Sequence, residues 1–460
     1  MKLRVRHGIA AVVVGTVALA AAGCSATASA PATPQFDPNA PVTITVGDLP
    51  STQAEAARKT FLDSVDAFEK AHPNVTIETS ETRWDNGSFS ALVAGGTMPT
   101  VMSVPFTNTK QVIDNGQVAD ITNIAGPLGI LDRVNPDTLK QAQDDAGNTY
   151  GIPTSVDALG LIYNRELFQQ AGLDPDDPPS TWDEVREAAK TITEKTGVPG
   201  YLQMTEEGQG GWIYTATVYS QGGTVEDPTG GEVTLDSDQS VDALKTVHDM
   251  YWDDKSMGST VLFSLKTLMQ EYAANRAGMF IAPVQTYEWL NNVYDIDLST
   301  IGATHVPQAE GGPYGALLSG NVQMFNPKST PEQLNAAAEW VDYYYFGKYT
   351  DEETAVANAK AVVADGGVVG LPGLSPLSPE AYDQYRKWIA DYINVDPAHF
   401  TGYTDSLAEI PLIPEPATRA QEVYADLAPT VQQALTDENA DLKALISDAS
   451  SRIDRIISQG

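Results

Sequence analysis

The run from Tyr150 to Asn164 reads Tyr-Gly-Ile-Pro-Thr-Ser-Val-Asp-Ala-Leu-Gly-Leu-Ile-Tyr-Asn, and it constrains the fold more than any other part of the chain. Pro153 has no N–H to give to a ladder, so Ile152 to Ser155 is expected as a connecting or edge segment and not as a central strand. Ala158 to Tyr163 is then an apolar run of strand length, and Arg165 to Gly172 has the spacing of a short helix closed by glycine. A segment that leaves one folded unit and at once starts the central sheet of the next marks a hinge crossing.

The residues ahead of it alternate strand and helix. Val42 to Val46 reads as a strand, Ala57, Phe61, Val65 and Phe68 share one helical face, and Val75 to Thr79 is the next strand. A helix near Phe89, a strand at Val101 to Val104 and a helix from Thr109 continue the βαβ pattern, which predicts an open parallel sheet with helices on both faces. Beyond the hinge run, Thr181 and Glu184 form a capping box before a helix with Trp182, Val185, Ala189 and Ile192 on one face. Gly208 to Tyr214 joins a glycine cluster to two aromatics, so the backbone there is expected to pass close to a neighbour. Ile301 to Val306 reads as a strand that returns the chain to the first unit. A second capped helix begins at Thr330 and carries Trp340, and the rest is mostly helical.

The N-terminus has a different use. Lys2, Arg4 and Arg6 precede an apolar run from Ile9 to Ala22 that is shorter than a comfortable membrane span, and Ala-Gly-Cys ends it. This looks like a bacterial lipoprotein signal with Cys24 as the lipidation site; the alternative is an ordinary cleaved signal with an incidental cysteine. Cys24 is the only cysteine in 460 residues, so no intramolecular disulfide forms. Residues 1–24 are thus set apart as a signal peptide and 25–41 as a disordered tether rich in Ser, Ala, Pro and Thr. Without the three signal cations, 24 basic residues face 61 acidic ones, a net charge of about −37. That balance argues against nucleic acid and anionic lipid surfaces as direct partners.

The order Tyr-Gly-Ile-Pro, then Gly-Leu-Ile-Tyr-Asn, a Leu-Phe and an Ala-Gly-Leu resembles the signature of the extracellular solute-binding proteins that deliver sugars to ABC importers, the maltose-binding-like family. The resemblance extends over roughly Val42 to the C-terminus. It implies a two-lobed α/β fold of the periplasmic-binding-protein type II, each lobe an open mostly parallel sheet flanked by helices. Chain crossings near Pro153, near Thr304 and between Gly347 and Gly373 give lobe 1 as 42–153 plus 304–350 and lobe 2 as 154–303 plus 351–460. It also implies a ligand cleft between the lobes, permease subunits of an importer as partners, a membrane attachment through Cys24 alone, and a monomer.

Two facing sheets put the carboxyl ends of their strands on opposite walls of one cleft. Trp84 and Phe106 follow strands of the first lobe, Asp157 lies at the hinge, and Trp212, Tyr214, Tyr287 and Trp289 are expected on loops of the second. A carbohydrate packs its apolar faces on flat rings and pairs its hydroxyls with carboxylates and amides, which adds Gln209, Gln285, Asn321 and the loop residue Tyr314 to the candidates. For Trp84, Trp212 and Trp289 the alternative is a place in the core, and for Asp157 a helix cap or a hinge salt bridge. Trp182 and Trp340 lie on periodic helical faces and belong to the core.

Catalytic signatures are missing: there is no Gly-x-Ser-x-Gly elbow, phosphate loop, His-Glu-x-x-His or paired-cysteine metal spacing. No catalytic residue, cofactor or metal is therefore expected, and the acidic loop Asp174 to Asp177 reads as a solvated turn. The expected function is capture of an oligosaccharide or related polyol by hinge closure. A secreted carbohydrate-active enzyme using two cleft carboxylates and a binding module serving a sensor or adhesin are the alternatives.

Overall fold

The computed structural model describes residues 36–53, 55–227, 230–406 and 409–458. The signal peptide, Cys24 and nearly all of the tether lie outside them. Three parallel strands begin the chain: β1 (Val42–Val46) pairs with β2 (Val75–Thr79) from Val42↔Val75 to Val46↔Thr79, and with β3 (Val101–Pro105) at Val46↔Val101. The helix Glu55–Ala71 connects β1 to β2, and its Phe61, Val65 and Phe68 are buried because their spacing puts them on one face. Phe61 and Phe68 meet Trp340 edge-on, with ring centroids 5.7 and 5.5 Å away.

Two long strands organise the rest. β4 (Gly151–Asn164) lies antiparallel to β7 (Ala316–Phe325), from Gly151↔Met324 to Ala158↔Leu318, with a register shift between Pro153 and Ser155. β7 in turn pairs antiparallel with β3. In its first half β4 is the edge of this sheet, where a proline is tolerated. It does not stop there. The same strand continues between β5 (Met279–Pro283) and β6 (Ile301–His305), both antiparallel to it, so the hinge run is one strand with an edge half and a central half. β8 (Leu412–Ile413) adds a short parallel pairing to the start of β7.

The two-lobed α/β class holds, with a difference in strand direction. Parallel pairing is confined to β1, β2 and β3 and to the short β7–β8 contact, whereas β5 and β6 flank β4 antiparallel. The β4–β5–β6 group is covered by helices, and Leu161, Ile162 and Tyr163 are fully buried within it.

Two large cores correspond to the lobes. One gathers Ile44, Phe68, Val101, Ile152, Phe325, Trp340 and Leu377. The other runs from Leu159 through Trp182 and Tyr201 to Leu317, then takes up residues of the last two helices, Ala420–Thr436 and Leu442–Ile457. The chain passes between them inside β4, between Val156 and Leu159. The sequence reading puts the return at Thr304, but Ala303, Val306, Ala316 and Leu317 all pack in the second core, so the return runs along β7 at Leu318. The reason is that β6 pairs with the central half of β4, which holds it in the second lobe. The third passage carries Leu371 against the second core, Leu374 against a cluster with Phe106 and Val322, and Leu377 into the first core. Ala355, Ala359, Val369 and Ile389 make a small core of their own beside it, apart from that of the second lobe.

Candidate functional site

A cavity of about 780 Å³ lies where the two cores face each other across β4 and β7. Its floor is made by those strands, through Thr154 to Asp157 and Ser319 to Asn321. Phe106 stands beside the floor at the start of the helix Phe106–Asp114 and is only 5% exposed. Gly320 makes room for it, since a Cβ there would come within 2.7 Å of the Phe106 ring and 2.3 Å of the Ser155 carbonyl oxygen. The Asn321 side-chain N–H donates to Ser155 Oγ at 3.1 Å, which ties β7 to β4 at the cavity surface.

The second lobe supplies most of the rings. Gly208 to Tyr214, expected as a loop, is the start of the helix Glu207–Ser220. The expected close approach is real: a Cβ on Gly211 would lie 2.1 Å from the Tyr424 carbonyl oxygen, so this helix packs backbone to backbone on Ala420–Thr436. That contact sets Gln209 and Trp212 at the cavity edge, with Tyr424 beside them. Gln209 also accepts from the Leu265 N–H at 2.8 Å, which fixes its amide. Gln285, Glu288 and Trp289 come from the turn after β5 and the helix Thr286–Tyr294 that follows.

Four expected site residues are elsewhere. Tyr214 is 2% exposed and donates its hydroxyl to the Ser240 carbonyl at 2.6 Å, inside the second core. Tyr287 is fully buried, with its hydroxyl on the Leu298 carbonyl at 2.9 Å and 3.1 Å from His399 Nδ1. Both lie on helices whose other faces reach the cavity, and helical rotation turns them inward. Trp84 is half-buried against Phe89, 4.6 Å between ring centroids. Tyr314 is on the outer surface, 40% exposed, and donates to the Glu310 carbonyl. The remaining seven, Phe106, Asp157, Gln209, Trp212, Gln285, Trp289 and Asn321, line one cavity.

Three carboxyls face this space, and sequence reasoning reached only Asp157. Burial raises its carboxyl to about 7, partly offset by the Ala158 N–H; it lies within β4, not at a helix start, and among the described residues it has no salt-bridge partner. Glu415, in the segment after β8, is raised to about 8 by burial, with hydrogen bonding from Trp212 working against the shift, and it accepts from the Tyr424 hydroxyl. Glu288 is raised by burial and eased by Lys348 and Asn292. Lys348 itself stands 5.0 Å over the Tyr349 ring. The one local signal for Glu415 is a carboxylate held between Pro414 and Pro416 after an apolar run, which is weak among 61 acidic residues.

The walls also touch directly. Gln421 of the second lobe donates its side-chain N–H to Thr107 Oγ1 of the first at 3.2 Å. The acidic turn forms as expected and is held by Arg165, which reaches Asp176 at 2.5 Å. No helix among the described residues is long and apolar enough to cross a membrane.

Comparison with known proteins agrees with this geometry. The profile described as bacterial extracellular solute-binding protein matches residues 52–348. A protein of Brucella abortus (strain 2308) named as a binding protein is 24% identical over 427 residues, 89% of this chain and 93% of its own length. An arabinooligosaccharide-binding protein of Bacillus subtilis (strain 168) is 26% identical over 209 residues, 43% of this chain and 45% of its own. Among solved structures, the cyclic α-maltosyl-1,6-maltose binding protein of Arthrobacter globiformis has a TM-score of 0.70 at 23% identity, covering 91% of this chain and 100% of that one. The structural likeness shows the fold, and the profile match over most of the length shows that the chain belongs to the bacterial extracellular solute-binding proteins.

Proposed function

We propose that this protein is the lipid-anchored substrate-binding component of an ABC importer, and that it captures a carbohydrate, an oligosaccharide or related polyol, between its lobes. The observation that carries the reading is the cavity itself: Trp212 and Trp289 offer flat apolar rings, while Asp157, Asn321 and Gln209 offer hydrogen-bonding groups, in a space large enough for several sugar rings. Relatives whose names specify oligosaccharides support the same class. Phe106, Asp157, Gln209, Trp212, Gln285, Trp289 and Asn321 are the residues assigned to the ligand.

Closure follows from differential contact. A ligand that met only one wall would bind without shifting the lobes, whereas one held by Phe106 and Asn321 on one side and Trp212 and Trp289 on the other favours the shut form. That form would be presented to the permease. Cys24 is assigned to lipid attachment, and the protein acts as a monomer outside the membrane. Replacing Cys24 by alanine should release it into the medium, and mass spectrometry of the N-terminus would identify the acyl groups.

A thermal-shift screen against neutral and substituted oligosaccharides tests the ligand class. A hundredfold excess over Kd stabilises the folded state by about 2.7 kcal/mol. The same mixtures, searched for product, test the enzyme alternative, in which two cavity carboxyls such as Asp157 and Glu415 would act as acid and base. Stoichiometric binding without turnover supports transport; turnover would overturn it.

A further inference from the structure

The charged side chains lining the cavity are unevenly matched. Among the described residues they are three carboxylates, Asp157, Glu288 and Glu415, and one cation, Lys348. Lys348 acts on Glu288 and lies over the Tyr349 ring. Among the described residues no basic side chain is ion-paired with Asp157 or Glu415; what offsets their burial is one backbone N–H for the first and the Trp212 side chain for the second. Glu415 also accepts from the Tyr424 hydroxyl, and it lines the cavity.

Burying an ionised carboxylate costs several kcal/mol unless a cation or enough donors compensate it. A neutral sugar can pair with the protonated carboxyl but brings no charge to favour its ionised form. An anionic ligand brings further negative charge into a space of low dielectric and keeps these carboxyls from ionising. An ammonium brings three donors and a positive charge together, which lets Glu415 give up the proton that burial holds on it and pair as a carboxylate. Resting on the carbohydrate reading above, we propose that the cavity takes a carbohydrate bearing a protonated amino group, and that Glu415 is the residue that selects it.

The test is isothermal titration of the mature chain at pH 7 with four oligomers of equal length: glucosamine, N-acetylglucosamine, glucose in the same linkage, and galacturonate. The glucosamine oligomer should bind at least tenfold more tightly than the glucose oligomer, and the galacturonate oligomer should give no measurable heat. In Glu415→Gln the preference for the amine should fall to about twofold or less. Glu415→Asp keeps the charge and should keep the preference, which guards against a fold defect in the first variant; the melting temperature of each unliganded variant checks this directly. Equal or tighter binding of the glucose or N-acetylglucosamine oligomer overturns the inference and leaves the carbohydrate reading standing. An amine preference that survives Glu415→Gln overturns the role of Glu415. Binding of none of the four overturns both readings.

Discussion

The two walls of the cavity are built on different principles. The first lobe presents backbone and small side chains from β4 and β7 with a single ring, Phe106, which is 5% exposed and belongs as much to its own core as to the cavity. The second lobe presents Trp212 and Trp289, half-buried on helix faces, with Glu288, Glu415 and Tyr424. One wall is continuous with the paired strands β4 and β7, and the other is carried on helices whose opposite faces are buried in the second core. If the cavity binds as proposed, recognition by side chains is concentrated on the second lobe, and the first contributes a surface to close against.

This contrast can be broken by exchanging rings. Phe106→Ala should lower unfolding stability by about 3–5 kcal/mol, as for a core phenylalanine, and weaken ligand binding as well. Trp289→Ala or Trp212→Ala should leave the melting temperature of the unliganded protein nearly unchanged while reducing affinity roughly tenfold to a hundredfold, as expected for about 1.5–3 kcal/mol of lost apolar contact. Equal losses of stability in all three would erase the distinction between the walls. Calorimetry and a binding isotherm on the same samples decide it.

A pH series sharpens the comparison next. Burial holds the carboxyls of Asp157 and Glu415 at about 7 and about 8, above their values in an unfolded chain. The folded protein therefore keeps protons that the unfolded one has lost, so their contribution is fully present below about pH 4 and is lost as pH rises through 7 to 8. Thermal melts of the unliganded protein should show a fall in stability from pH 5 to pH 8 that is distinctly smaller in the Asp157→Asn, Glu415→Gln double variant. His305 and His399, both shifted down by burial, act in the opposite direction between their folded values and about 6.5, which makes the difference between variants the quantity to read.

The smallest effect belongs to the bond that joins the walls. Gln421→Ala removes the 3.2 Å contact with Thr107 and should change apparent affinity by no more than about fivefold, the equivalent of about 1 kcal/mol, through the balance of open and shut forms. Small-angle scattering without ligand should show a slightly more extended molecule.

Local chemistry was legible in the sequence wherever a residue's neighbours along the chain decide its state. The capping boxes at Thr181 and Thr330 form with both hydrogen bonds, and the helical spacing of Trp182 and Trp340 puts them in the cores. Pro153 correctly marked an edge, yet it did not show that the same strand continues into the centre of another sheet, because that depends on β5 and β6 arriving from more than a hundred residues away. Tyr214 and Tyr287 fail for a related reason. Beside a tryptophan on the same helix, an aromatic two residues away points to a different side, and only the helix assignment reveals which. Glu415 depends on helix Ala420–Thr436 meeting Glu207–Ser220 at Gly211, a packing event with no mark in its own neighbourhood.

β4 and β7 run through both halves as an antiparallel pair, and a shift of one residue in their register would turn every side chain to the wrong face. Closure of the proposed kind therefore cannot come by sliding and would be a bend about the paired strands. Points near that axis travel least, so Asp157 and Asn321 should keep the same distance from each other in every state while Trp289 sweeps toward them. A pair of spin labels on either side of the axis would see a stationary pivot, and a pair across the rim would see the whole stroke.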